Sequence, residues 1–126
     1  MKNGLFIAAL CAALAVVLGA FGAHALKSLV VAERLPIFET GVRYQFYHAF
    51  ALFVTGLMAE KHTEKSKFWW ASVFFILGMV CFSGSLYLLA CRDLLPFSVF
   101  WAGPVTPLGG LCFLAGWVML FMGTRE

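Results

Sequence analysis

Charge is what this sequence has least of. Only 12% of its 126 residues are Asp, Glu, Lys or Arg, far below the quarter usual in a soluble domain. No carboxylate stands inside a long apolar run: Glu33, Glu39, Glu60, Glu64, Asp93 and Glu126 all fall between runs or at their ends. That argues against drug–proton exchange of the small four-span kind, which needs an acidic group within the membrane. A Gly-rich phosphate loop, H-E-x-x-H and G-x-S-x-G are all missing. The four cysteines, Cys11, Cys81, Cys91 and Cys112, show no C-x-x-C spacing. Three lie within apolar runs and read as small core residues; Cys91, at the end of a run, is the one position where redox or metal chemistry is worth asking about. No basic face interleaved with aromatics points to nucleic acid, and the net charge of +3 is accounted for by loop lysines.

Apolar residues fill the space that charge leaves. They make up 63% of the chain, with a mean hydropathy of +0.93. Since about 20 apolar residues cross a bilayer as a helix, the runs Leu5–Ala23, Tyr44–Ala59, Phe68–Ala90 and roughly Val99–Met122 use nearly the whole chain. Backbone groups in lipid must be satisfied within the segment, and the alternation of a membrane barrel is absent. The expectation is an all-α membrane protein: one integral domain over 1–126, folded as a four-transmembrane-helix up-down bundle. The second run is the least apolar, but Pro36 suits a first helical turn and Glu39 and Arg43 form an i,i+4 pair, so its helix extends in water-facing turns to about Glu60.

Between the first two spans, Leu26, Leu29 and Val30 beside Lys27, Glu33 and Arg34 fit a short helix in the interface. Lys2, an apolar core and Ala23-His24-Ala25 imitate a secretory signal. The core is too long for that role, however, and Ala8, Ala12, Ala15, Gly19 and Gly22 form a small-residue stripe of the kind that lets a neighbouring helix approach closely. A retained helix is the expectation. Pro104 and Pro107 fit the opening turn of the last helix, after an interfacial stretch Phe97–Gly103 anchored by Trp101; the alternative is a helix broken at membrane depth, as in transporters. Lys2, Lys61, Lys65, Lys67 and Arg125 fall on one side of the membrane against Lys27, Arg34, Arg43 and Arg92 on the other, a slight lean toward cytoplasmic termini.

The polar residues within or beside the runs are few: His24; Tyr44, Gln45 and His48; Ser83, Ser85 and Tyr87; and Thr106 between the prolines. In an up-down bundle these groups converge at one depth in one leaflet. Thr40, Tyr44, His48, Ala51 and Thr55 share a helical face. His48 lies inside the lipid boundary, where a polar side chain faces the bundle and finds a partner, His24 being the nearest candidate. One reading makes the cluster interhelix glue worth about 0.6–2 kcal/mol per bond. The other makes it a small-molecule or proton-linked site, because histidine titrates near physiological pH. Two histidines without a third ligand make a poor metal centre.

Four blocks carry a resemblance: Gly19-Ala20-Phe21-Gly22-Ala23-His24-Ala25-Leu26, Tyr44-Gln45-Phe46-Tyr47-His48-Ala49, Phe82-Ser83-Gly84-Ser85-Leu86-Tyr87 and Gly103-Pro104-Val105-Thr106-Pro107-Leu108-Gly109-Gly110. In this order they resemble the YgdD-type inner-membrane family, small four-span proteins with bacterial and eukaryotic members. The resemblance spans essentially the whole chain. It implies a multi-pass protein of the bacterial inner (plasma) membrane and brings no catalytic residues or cofactor with it.

Three functions remain open at this stage. A structural or accessory component would meet the lipid bilayer and either a membrane-protein partner or further copies of itself, through the stripe Ala8–Gly22 or the glycines Gly109, Gly110 and Gly116. A binder or carrier of lipid or another small amphiphile would use the cluster, proton-linked through His48. An enzyme is the least favoured, because no nucleophile or acid–base pair is identifiable and so small a bundle hardly excludes water around a substrate.

Overall fold

Pro36 sits in the first turn of a long helix, where its missing N–H costs little. That helix is the axis of the fold. In the computed structural model, which describes residues 2–125, the chain forms α1 (Lys2–Ala23), α2 (Leu35–Lys61), α3 (Ser66–Ala90) and α4 (Ala102–Thr124). Three stretches, Lys2–Ser28, Ser66–Ala90 and Ala102–Thr124, are long and apolar enough to cross a membrane. At 27 residues α2 is the longest helix. It is less apolar because it turns Gln45, His48 and Thr55 into the bundle, where all three are buried. Outward-facing Phe6, Val16, Phe50, Val80, Leu111 and Phe121 are each more than 60% exposed, the surface of a protein whose solvent is lipid.

Glycines set the spacing between neighbouring helices. A Cβ on Gly22 would strike the Phe38 ring, one on Gly19 would touch Val42, and one on Gly56 would strike Leu5, so α1 runs antiparallel to α2. The small-residue stripe of α1 is therefore used within this chain, with Ala8, Ala15 and Gly22 buried. Between α3 and α4 the fit is periodic: the Phe68 and Phe75 rings sit over Gly123 and Gly116, Gly109 lies against Phe82 at its backbone, and the Phe113 ring of α4 sits over Gly78 of α3. Both sets repeat every seven residues, the period that keeps one seam of a helix facing its partner. Phe68 and Phe75 are fully buried. Where lipid tails remove the usual hydrophobic drive between helices, this ring-over-glycine packing supplies van der Waals contact instead.

Within α3 the backbone widens to a π turn over Met79–Ser83 before the α-helix resumes at Gly84. There Gly109 lies directly against the backbone of Phe82. In α4 no break occurs at the prolines. The helix begins at Ala102, ahead of Pro104, and Pro107 lies inside it; the carbonyl it leaves unpaired belongs to Gly103, in the first turn at the exposed end.

The link between α1 and α2 departs from expectation. Two 3-10 turns, Ala25–Ser28 and Ala32–Arg34, take the place of an interfacial helix, because Val31 between them is extended. Leu26 points inward and is fully buried with Phe38 and Ala90. Arg34 then reaches the α3–α4 loop, pairing with Asp93 at 2.8 Å. At the opposite end, the His62 ring bonds the Met58 carbonyl at 2.8 Å and the Glu64 carboxylate accepts the Ser66 N–H at 2.8 Å, closing α2 and opening α3. That N–H bond, with help from Lys67, holds the Glu64 carboxyl below its ordinary range, so this cap is present at neutral pH and is lost as acid protonates it.

Candidate functional site: an interhelix polar network

Gln45 is the branch point. Its amide nitrogen donates to the Cys11 carbonyl of α1 at 2.8 Å, and its amide oxygen accepts from the Tyr87 hydroxyl of α3 at 2.7 Å. One buried side chain thus joins three helices. Gly41, one turn earlier, makes room for this: a Cβ there would strike the Tyr87 ring. Tyr87 packs in turn on Phe38, ring centroids 5.0 Å apart.

His48, one turn further along α2, ties in the fourth helix. Its Nε2 accepts from the Trp117 indole N–H at 3.1 Å, and Nδ1 meets the Tyr44 carbonyl at 2.8 Å. Trp117 has only a donor to offer, so the proton of His48 belongs on Nδ1 and the ring is neutral. The imidazole stacks on Phe113 at a centroid distance of 3.5 Å and 9° between planes. A third link joins α3 to α4, where the Ser85 and Thr106 hydroxyls lie 2.5 Å apart. Ser85 also donates to the Phe82 carbonyl at 2.9 Å, inside the π turn.

The expected single-depth cluster is thus resolved into a ladder. Thr106 and Trp117 are eleven residues apart on α4, roughly 16 Å along its axis. His24 does not join it: exposed just beyond α1, its side chain has no hydrogen-bond partner among the described residues. The expectation that it pairs with His48 is corrected, because α1 ends at Ala23 near the bilayer surface while His48 sits halfway along α2. Tyr44 contributes a carbonyl and a ring that lies 4.8 Å from Phe82, but its hydroxyl has no partner among the described residues. The apolar runs single out neither Trp117 nor the Cys11 carbonyl, the partners that the structure supplies to His48 and Gln45. An indole donor inside an apolar run needs an acceptor, which was the available clue for Trp117; a backbone carbonyl gives none.

Ser83 is the exception. It is fully buried, and its hydroxyl finds no hydrogen-bond partner among the described residues. Since a buried unpaired hydroxyl costs about 1–3 kcal/mol, Ser83→Ala is expected to melt in detergent at or above the parent temperature. A clear loss of thermal stability would show that the hydroxyl is engaged.

Cys91 packs against the Leu26–Phe38–Ala90 cluster, and burial pushes its thiol up, so it is protonated at neutral pH. Among the described residues, no three His, Cys, Asp or Glu side chains are grouped to hold a metal ion. The apolar groove between α1 and α2, lined by Ala8, Ala12, Phe46, Phe50 and Phe53, has a volume near 210 Å³.

Comparison with known proteins agrees with this architecture. Residues 18–110 match the family described as "Protein of unknown function (DUF423)". The chain is 40% identical over 120 residues to the UPF0382 membrane protein YwdK of Bacillus subtilis, covering 95% of this chain and 94% of that one. It is 41% identical over 119 residues to the UPF0382 inner membrane protein YgdD of Escherichia coli K12, covering 94% and 86%. A UPF0382 membrane protein of Staphylococcus haemolyticus is 39% identical over 124 residues, covering 98% and 96%. No solved structure matches. With a helical bundle whose outer surface is made for lipid, and with relatives that match nearly end to end, the chain belongs to the DUF423 family of multi-pass inner-membrane proteins.

Proposed function

We propose that this chain is a non-enzymatic structural or accessory component of the membrane, whose polar groups hold its own helices in register. The carrying observation is that Gln45, His48, Ser85, Tyr87 and Thr106 are engaged with one another or with partners on neighbouring helices. A transport or catalytic site leaves groups turned toward a ligand; here they are turned toward the bundle. A proton-linked carrier would need a ring nitrogen of His48 free to exchange, and both are occupied. Both termini belong on the cytoplasmic side, with Lys61 closing α2, Lys65 in the short connection and Lys67 in the first turn of α3.

Two measurements test the reading. His48→Ala removes the ring stacked on Phe113 and strands the Trp117 N–H. It is expected to cost about 1–3 kcal/mol of stability in detergent, and a variant as stable as the parent would count against a structural role. Native mass spectrometry of protein gently extracted from its own membrane is expected to show it in stoichiometric complex with larger membrane subunits. Recovery as a homo-oligomer holding a defined small molecule would overturn the accessory assignment.

A further inference from the structure

Beyond that role, we infer that the chain holds the phosphate headgroup of an anionic membrane lipid at Arg92, in the leaflet opposite its termini. The site is a cavity of about 280 Å³ where α3 gives way to the α3–α4 loop, lined by Leu89, Arg92, Phe97, Ser98, Val99 and Phe100. Its lining is amphipathic, with an arginine and a serine among four apolar residues, and that composition fits a lipid better than a free anion.

Charge pairing leaves Arg92 available. Of the arginines on this side, Arg34 is paired with Asp93 at 2.8 Å and Arg43 with Glu39 at 3.7 Å. Arg34 thereby takes the carboxylate next to Arg92 in sequence, and Arg92 has no ion-pair partner among the described residues. A guanidinium binds phosphate through paired N–H donors. The loop is also built to lie in the bilayer surface: Phe97 is 57%, Phe100 88% and Trp101 58% exposed, and aromatic side chains of this kind settle at the headgroup level. The cavity thus stands where lipid phosphates are densest, with its apolar walls available to the upper acyl chain.

The test is native mass spectrometry of the purified protein in a neutral detergent, titrated with phosphatidylglycerol or phosphatidylcholine. Phosphatidylglycerol is expected to be retained about fivefold better, equivalent to ~1 kcal/mol for one interfacial cation. Arg92→Gln should reduce retention to the phosphatidylcholine level with an unchanged melting temperature, while Arg43→Gln, whose partner is Glu39, leaves it unaltered. Phe97→Ser should weaken both lipids alike. Equal retention of the two lipids by the parent, or an undiminished preference in Arg92→Gln, would overturn the inference. Displacement of phosphatidylglycerol by an equal concentration of glycerol 1-phosphate would also overturn it, identifying a site for free anions instead of lipid.

Discussion

Gly109→Val should leave little folded protein, and Gly109→Ala should already lower the melting temperature sharply in detergent. A Cβ at this position would land on the backbone nitrogen and Cα of Phe82. Neither atom can rotate away as a flexible side chain would. The two helices must separate along the seam on which Phe75 packs over Gly116 and Phe68 over Gly123, so the loss spreads beyond one contact. Overpacking of this type costs about 1–3 kcal/mol for small additions, and valine adds branching at the point of closest backbone approach. Gly84→Ala is the control, because a Cβ there meets nothing within 4 Å. It should be neutral or slightly stabilising, since alanine is favoured over glycine in a helix interior by about 1 kcal/mol. Equal melting temperatures for Gly109→Ala and Gly84→Ala would refute the proposed seam.

Removing the branch point should have the second-largest effect. Gln45→Leu keeps the bulk but removes two interhelix bonds at once: it strands the part-buried Tyr87 hydroxyl and takes away the second donor on the Cys11 carbonyl, which keeps its own bond within α1. The stranded hydroxyl costs on the order of 1–3 kcal/mol, and the lost bond to α1 adds about 0.6–2 kcal/mol, the usual worth of a single interhelix bond in a bilayer. Tyr87→Phe breaks one bond and leaves only the Gln45 oxygen unpaired, so it should cost clearly less. Combining the two is expected to be less damaging than the sum of the singles, because the phenylalanine removes the hydroxyl that Gln45→Leu strands. Strict additivity in a double-mutant cycle of thermal stability would mean that the 2.7 Å bond carries no weight.

The bundle was legible from the sequence for a plain reason. The bilayer demands long apolar helices, so the apolar runs of the sequence overlap α1, α3 and α4, while the run Tyr44–Ala59 covers only the later part of α2, whose first turns are polar. Pro36 stands in the first turn of α2, as its fixed φ and missing N–H predict. Gln45, Tyr87, Ser85 and Thr106 were identifiable as a polar set because so few polar groups interrupt the runs, and the structure brings them together in pairs. His24 and His48 do not pair, although an end-of-span histidine and a mid-span histidine look equally polar in one dimension. The true partner of His48, Trp117, lies 69 residues away, and composition carries no information about which faces of α2 and α4 meet.

What the sequence determined by itself is the solvent of this protein and hence its fold class: lack of charge forces the chain into lipid, and lipid forces it into helices. It also held the heptad of Phe68, Phe75 and Phe82 and the matching heptad of Gly109, Gly116 and Gly123, though neither declares its partner. Only the tertiary structure decided that the two repeats interlock, that Ser83 is sealed at the end of a π turn, and that Arg34 takes Asp93 and leaves Arg92 lining an amphipathic cavity. Those outcomes depend on which helix faces are apposed, a property of packing geometry that no single segment encodes.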